Sequence, residues 1–140
     1  MLKLSEAREL TLGAIQSEEQ IISIRTLKKR DKHHVREMPV PQLLINELEK
    51  LPTTLPDKRL WPINRITAYR WIKAIMNEAG VVGPQASPKG LRHGYGIHAT
   101  SCGIQIHLLK KWMGHTSIKT TAIYANAVGE EEKAIARRMW

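Results

Sequence analysis

Apolar and polar residues alternate over two early stretches of the chain, 20–27 (Gln-Ile-Ile-Ser-Ile-Arg-Thr-Leu) and 34–40 (His-Val-Arg-Glu-Met-Pro-Val). A period of two is that of a half-buried strand. Between them runs Lys28-Lys29-Arg30-Asp31-Lys32-His33, a polar turn, so the pair predicts a hairpin with a basic tip. Elsewhere the pattern is helical. Ser5 and Glu6 suit the start of a helical turn near the N-terminus. Pro41 suits a helix's first turn, and Leu43, Leu44, Ile45, Leu48 and Leu51 follow at core-facing spacing. Asn64 is placed to cap a longer helix running to about Ala79 with Ile66, Tyr69, Trp71, Ile72 and Ile75, and Gly80 stops it. Pro-rich segments 52–62 and 81–88 read as loops. Four short helical patterns follow, over 88–101, 104–112, 117–126 and 129–139. The order predicts an α+β fold, mainly helical, with a small N-terminal antiparallel hairpin or sheet.

Composition narrows the class. With 42% apolar residues in 140, the chain has the makings of one domain, 1–140, with its own core. No apolar run reaches the ~18 residues of a membrane helix. Glu6, Arg8 and Glu9 interrupt any signal-peptide stretch. The single cysteine, Cys102, excludes an intrachain disulfide and a cysteine metal cluster. These features predict a protein of a cytoplasm-like compartment without a membrane partner. Lys plus Arg number 22 against 13 Asp plus Glu, a formal charge of +9. Such an excess of positive charge points to a polyanionic partner, and nucleic acid is the common answer, with a basic ribosome- or membrane-surface protein as the alternative.

The chemistry concentrates near the C-terminal end. Arg92 stands in Lys89-Gly90-Leu91-Arg92-His93, His115 follows 23 residues later in Trp112-Met113-Gly114-His115, and Tyr124 comes nine after that. A guanidinium binds two phosphate oxygens at once, an imidazole donates a hydrogen bond, and a tyrosine hydroxyl offers a covalent nucleophile. Tyrosine alone is a poor nucleophile, with an ordinary pKa of ~10, and needs a proton acceptor and nearby cations. Leu91 is expected to point inward and Arg92 toward a cleft, with Ile118 and Ala122 facing the core from the tyrosine's helix. His93 and His98 lack metal-ligand spacing, so no metal is expected.

This segment resembles the catalytic signature of the tyrosine recombinases, the phage integrase family. There an Arg-centred box, His/Lys-x-x-Arg, precedes a Gly-His pair and, nine residues on, the nucleophilic tyrosine. The resemblance implies the catalytic-domain fold of that family and a 3′-phosphotyrosyl intermediate, with no cofactor. It assigns Tyr124 as nucleophile, Arg92 and His115 to the scissile phosphate, and Lys89 to the slot of the proton-accepting histidine, with His93 in support. A hairpin-tip lysine protonates the departing 5′-oxygen; Lys28 fits that register best, with Lys29 second, and Lys29, Lys32 and Lys119 are expected DNA contacts. The family's first box, Gly-x-Arg-x-x-Glu, meets Met1-Leu2-Lys3-Leu4-Ser5-Glu6 here. Lys3 thus stands in the first arginine's position, and Glu6 is the carboxylate that buttresses the arginines. The resemblance further implies an N-terminal core-binding domain outside these residues, a synaptic tetramer on DNA, and a C-terminal helix over Glu130–Trp140 that docks on a neighbouring protomer or back on its own body. Two rival readings share the residues. One is a non-catalytic helix-turn-helix over 104–126, with Gly114 in the turn and Lys119-Thr120-Thr121 on the recognition helix. The other is a type IB topoisomerase-like relaxing enzyme.

Overall fold

A computed structural model describes residues 1–26, 34–52, 55–125 and 137. They form two compact units, one over Leu2–Pro88 and one from Lys89 onward that also takes in Met1.

In the first unit a short helix, α1 (Leu4–Arg8), and a single 3-10 turn (Leu12–Ala14) lead into strands β1 (Ile15–Gln16), β2 (Ile21–Thr26) and β3 (His34–Pro39), then helices α2 (Gln42–Glu49) and α3 (Arg65–Glu78). The sheet is antiparallel in the order β1-β2-β3. Its register pairs Ile15 with Ile22, Ile22 with Met38 and Ile24 with Arg36. The hairpin expected from the period-two stretches is present, and β1 is a third strand that two residues were too few to signal. Ile22, Ile24, Met38 and Val40 are buried. Period two then forces Arg36, not Val35, onto the same side. Val35 is 54% exposed, Arg36 only 7%.

A buried arginine requires a partner, and Glu6 supplies it. Arg36 Nη1 and Nη2 donate to Glu6 Oε1 and Oε2 at 3.0 and 2.7 Å. The backbone N–H of Lys3 donates to the same carboxylate at 2.7 Å, so Glu6 also caps the start of α1. Burial pushes the Glu6 carboxyl up. The Arg36 hydrogen bonds, the Lys3 N–H and the charges of both residues more than offset it and hold the group below the usual carboxylate range. The Pro-rich loop is tied to the same end: Arg8 Nε donates to Ile63 O at 2.9 Å, Leu60 N to Leu10 O at 2.9 Å and Gly13 N to Pro56 O at 2.9 Å.

The helices lie where the patterns put them, with different faces buried. Pro41 is the residue before α2 and not its first turn. Ile45 and Leu48 are buried, while Leu43 is 71% exposed. Asn64 caps α3 through Thr67 N–H. Its buried positions are Ala68 and Met76; Ile66, Tyr69, Trp71 and Ile75 are exposed. The apolar residues of α3 spread round the helix, and the contact with α1 covers a narrow strip that a small alanine suits.

The second unit holds α4 (Pro88–Ser101), α5 (Ile106–Met113) and α6 (Ile118–Ala125). Ala99, Leu109, Met113 and Tyr124 form its buried cluster, with Tyr95, Ile97 and Ile104 packed against it. The amphipathic segment expected over Glu130–Trp140 lies outside the described residues, apart from Arg137.

Replacing Arg36 with leucine leaves the buried Glu6 carboxylate uncompensated and is expected to cost about 3–5 kcal/mol near neutral pH. Because the folded-state pKa of Glu6 is lowered, its contribution is full above the ordinary carboxylate range and is lost as pH falls through the lowered value. Urea unfolding of parent and Arg36→Leu across an acid series should therefore show a gap that narrows toward low pH. A gap constant with pH would contradict the assignment.

Candidate active site

The end of α5 organises the second unit. Gly114 has φ 63° and ψ 41°, a left-handed conformation that glycine adopts without the Cβ penalty. Gly114 N–H bonds Lys111 O and His115 N–H bonds Lys110 O, each at 3.1 Å, which is the Schellman pattern of a helix stop. His115 is thereby delivered just past the helix. Its Nδ1 shares a hydrogen bond of 2.9 Å with the Thr121 hydroxyl on α6, and Thr121 is fully buried. Ser117 Oγ accepts from Lys119 N–H at 3.2 Å at the start of α6.

Arg92 lies in the middle of α4, 9% exposed. Its Nη2 donates to the carbonyl of Met113, the last helical residue of α5, and its Nη1 to the carbonyl of Met1. A helix's final carbonyls have no partner within the helix, and the negative end of α5 favours a cation there. The guanidinium and the His115 turn are thus fastened to each other. The expected facing of this segment is reversed: Leu91 is 43% exposed. The buried stripe of α4 runs through Arg92, Gly96 and Ala99, and backbone carbonyls make burial of the guanidinium tolerable.

Tyr124 is 5% exposed. Its ring lies 6.3 Å from that of His115, nearly parallel at 19°, and 5.2 Å from that of His93, tilted by 53°. Gly96 makes this seat: a Cβ there would stand 2.7 Å from both Cε1 and Cζ of Tyr124. Thr121 and Tyr124 are the buried residues of α6; Ile118, expected to face the core, is the helix's first residue and is 48% exposed. Thr121 is accordingly unavailable to a recognition helix, although α5 and α6 do form a helix–turn–helix pair. On α4, burial raises the Tyr95 phenol above its ordinary value.

Of the other expected site residues, Lys89, His93 and Lys119 are exposed on α4 and α6. Lys3 and Glu6 lie in the first unit, joined by the bond already described; the arginine that Glu6 holds there is Arg36. Lys28, Lys29 and Lys32 lie outside the described residues. Among the described residues no group of three or more His, Cys, Asp or Glu is placed to hold a metal ion, and no helix is long and apolar enough to cross a membrane. Thr121, Gly96 and Arg36 escaped sequence reasoning. A glycine inside a helix costs roughly 0.5–1 kcal/mol against alanine, so Gly96 was a signal of close approach. Arg36 shares its phase with Met38 and Val40.

The sequence profile of the Phage integrase family matches residues 1–131, and the chain belongs to that family. Tyrosine recombinase XerA of Pyrococcus furiosus is 26% identical over an alignment of 148 residues that covers 98% of this chain and 50% of the relative. A crystal structure of XerA recombinase superposes with a TM-score of 0.76 at 22% identity, covering 98% of this chain and 53% of that one. XerH site-specific recombinase bound to its difH substrate gives 0.74 at 18% identity, with 94% and 41% covered. The fold is that of a tyrosine-recombinase catalytic domain with a small three-stranded antiparallel sheet. The chain spans about half the length of the curated relatives it matches.

Thr121→Val keeps the volume and removes the bond that orients His115. The lost hydrogen bond should lower the free energy of unfolding by about 1–1.5 kcal/mol in urea titrations; unchanged stability would contradict a buried bond between Thr121 and His115.

Proposed function

We propose that the protein cleaves and rejoins DNA strands in site-specific recombination or integration, with Tyr124 as nucleophile. The observation that carries this reading is the stacking of Tyr124 on His115, whose turn is bound to Arg92. Family membership supports the reaction class, and the relative XerH is described bound to its DNA substrate.

In the reaction Tyr124 Oη attacks a DNA phosphorus, a 3′-phosphotyrosyl bond forms and the bond to the 5′-oxygen breaks. Arg92 supplies its planar fork to the phosphate oxygens. His115 donates a hydrogen bond through Nε2, since Nδ1 is committed to Thr121. These donors matter most where charge grows in the pentavalent transition state. A lysine of the hairpin tip, by register Lys28, protonates the departing oxygen, and Lys29, Lys32 and Lys119 bind phosphates. The 5′-hydroxyl of a partner strand then attacks the phosphotyrosyl link and restores the diester. Because the covalent link conserves the bond energy, the exchange is isoenergetic. Double-stranded DNA is the substrate, the protein works on the nucleoid, and strand exchange takes place in a tetramer.

The test is a nicked suicide substrate resolved on denaturing gels with the full-length protein. Tyr124→Phe should give no protein–DNA adduct; an adduct in that variant would show that another residue is the nucleophile.

Lys3 supplies a second prediction. At the first arginine's position an ammonium serves one phosphate oxygen where a guanidinium serves two. Lys3→Arg should raise single-turnover cleavage by ~10-fold or more and leave binding nearly unchanged. Unchanged cleavage would mean either that Lys3 suffices or that the register of the first box is displaced.

A further inference from the structure

We infer that His93 is the base that takes the phenolic proton of Tyr124. This goes beyond the reading above and rests on it in one respect, that Tyr124 is the nucleophile. Of the two imidazoles beside Tyr124, that of His93 is nearer, with its centroid 5.2 Å away against 6.3 Å for His115. The two rings are tilted by 53° and not stacked.

One edge of the Tyr124 ring meets α4: Cε1 and Cζ would stand 2.7 Å and Cδ1 2.8 Å from a Cβ at Gly96, and Cζ bears the hydroxyl. His93 is three residues before Gly96. Residues three apart on a helix share a face, so His93 stands on the strip of α4 against which the phenol rests.

The other titratable groups around this point are less suited. His115 has Nδ1 engaged by Thr121 and is assigned to the phosphate. Lys89, one turn back on α4, is exposed, and an ammonium has donors but no acceptor. Tyr95 on α4 is held protonated by burial.

The step balances as follows. The Tyr124 oxygen–phosphorus bond forms and the phosphorus–O5′ bond breaks. The phenolic proton passes to a neutral imidazole nitrogen of His93, and the departing 5′-oxygen takes its proton from the hairpin lysine. In the return step the 5′-hydroxyl gives its proton back to that lysine as it attacks. His93 returns the other proton to the released tyrosine oxygen.

The experiment is single-turnover cleavage of the suicide substrate by the full-length protein over a pH series. A proton acceptor must be uncharged to act, so the parent rate should fall on the acid side. His93→Gln should slow cleavage by about 10²-fold or more, lose that acid-side fall, and keep the parent's DNA affinity and melting temperature. Added imidazole should restore part of the rate of His93→Ala. Cleavage by His93→Gln near the parent's rate with the same acid limb overturns the inference. So does a loss that imidazole leaves untouched and that comes with weaker folding. Tyr124→Phe serves as the control: an adduct in that variant defeats the nucleophile reading, and this inference with it. Absence of that adduct, with His93→Gln fully active, defeats the inference alone.

Discussion

A helix that stops leaves carbonyls without partners, and in the C-terminal unit the carbonyl of Met113 finds its partner in the guanidinium of Arg92. Most of the site's geometry follows from that one bond. Gly114 allows α5 to stop where it does, and the stop delivers His115. Thr121 then fixes the imidazole from α6, and the same turn of α6 carries Tyr124 to its seat on Gly96. An arginine in the middle of a helix, a histidine beyond a second helix and a tyrosine on a third are thereby set by backbone geometry. Such an arrangement reorganises little when charge develops on a phosphate, the condition under which electrostatic stabilisation is most effective.

Glu6 and Arg36 play the corresponding part in the N-terminal unit. Their bidentate pair replaces apolar packing between α1 and the sheet with a bond of fixed direction. The net gain in stability from a buried pair is often small, and removal of either partner is costly. What the pair secures is position. The Glu6 carboxylate also holds the backbone N–H of Lys3, so Lys3 is tied through the carboxylate to β3. That tie acts on backbone and is independent of whether position 3 carries lysine or arginine.

Much of this was legible in the sequence. Period-two stretches located β2 and β3, and capping residues with helical spacing located α2 through α6 to within a few residues. The spacing of Arg92, His115 and Tyr124 pointed to the family, whose profile matches residues 1–131. What failed was the choice of inward face. Apolarity favoured Leu43, Leu91 and Ile118, yet the structure exposes all three. Polar residues are buried instead, and each is satisfied: Arg92 by carbonyls, Thr121 by His115, Arg36 by Glu6. Such partners lie 21, 6 and 30 residues away in the chain. Local pattern carries no information about a bond that closes only in three dimensions.

The burial of Tyr124 follows from the same economy of polar contacts. A phenol needs an apolar seat for its ring and a polar neighbour for its hydroxyl, and the cluster of Ala99, Leu109 and Met113 provides the first. Gly96 lets one edge of the ring approach α4 closely, with two imidazole rings beside it. A larger residue at 96 would push the ring off α4. A glycine where alanine would favour the helix is thus explained by the ring of Tyr124, and the local cost in α4 is the counterpart of the tyrosine's position. The tension between stable helix and placed side chain couples residues 96 and 124, so neither can change size alone.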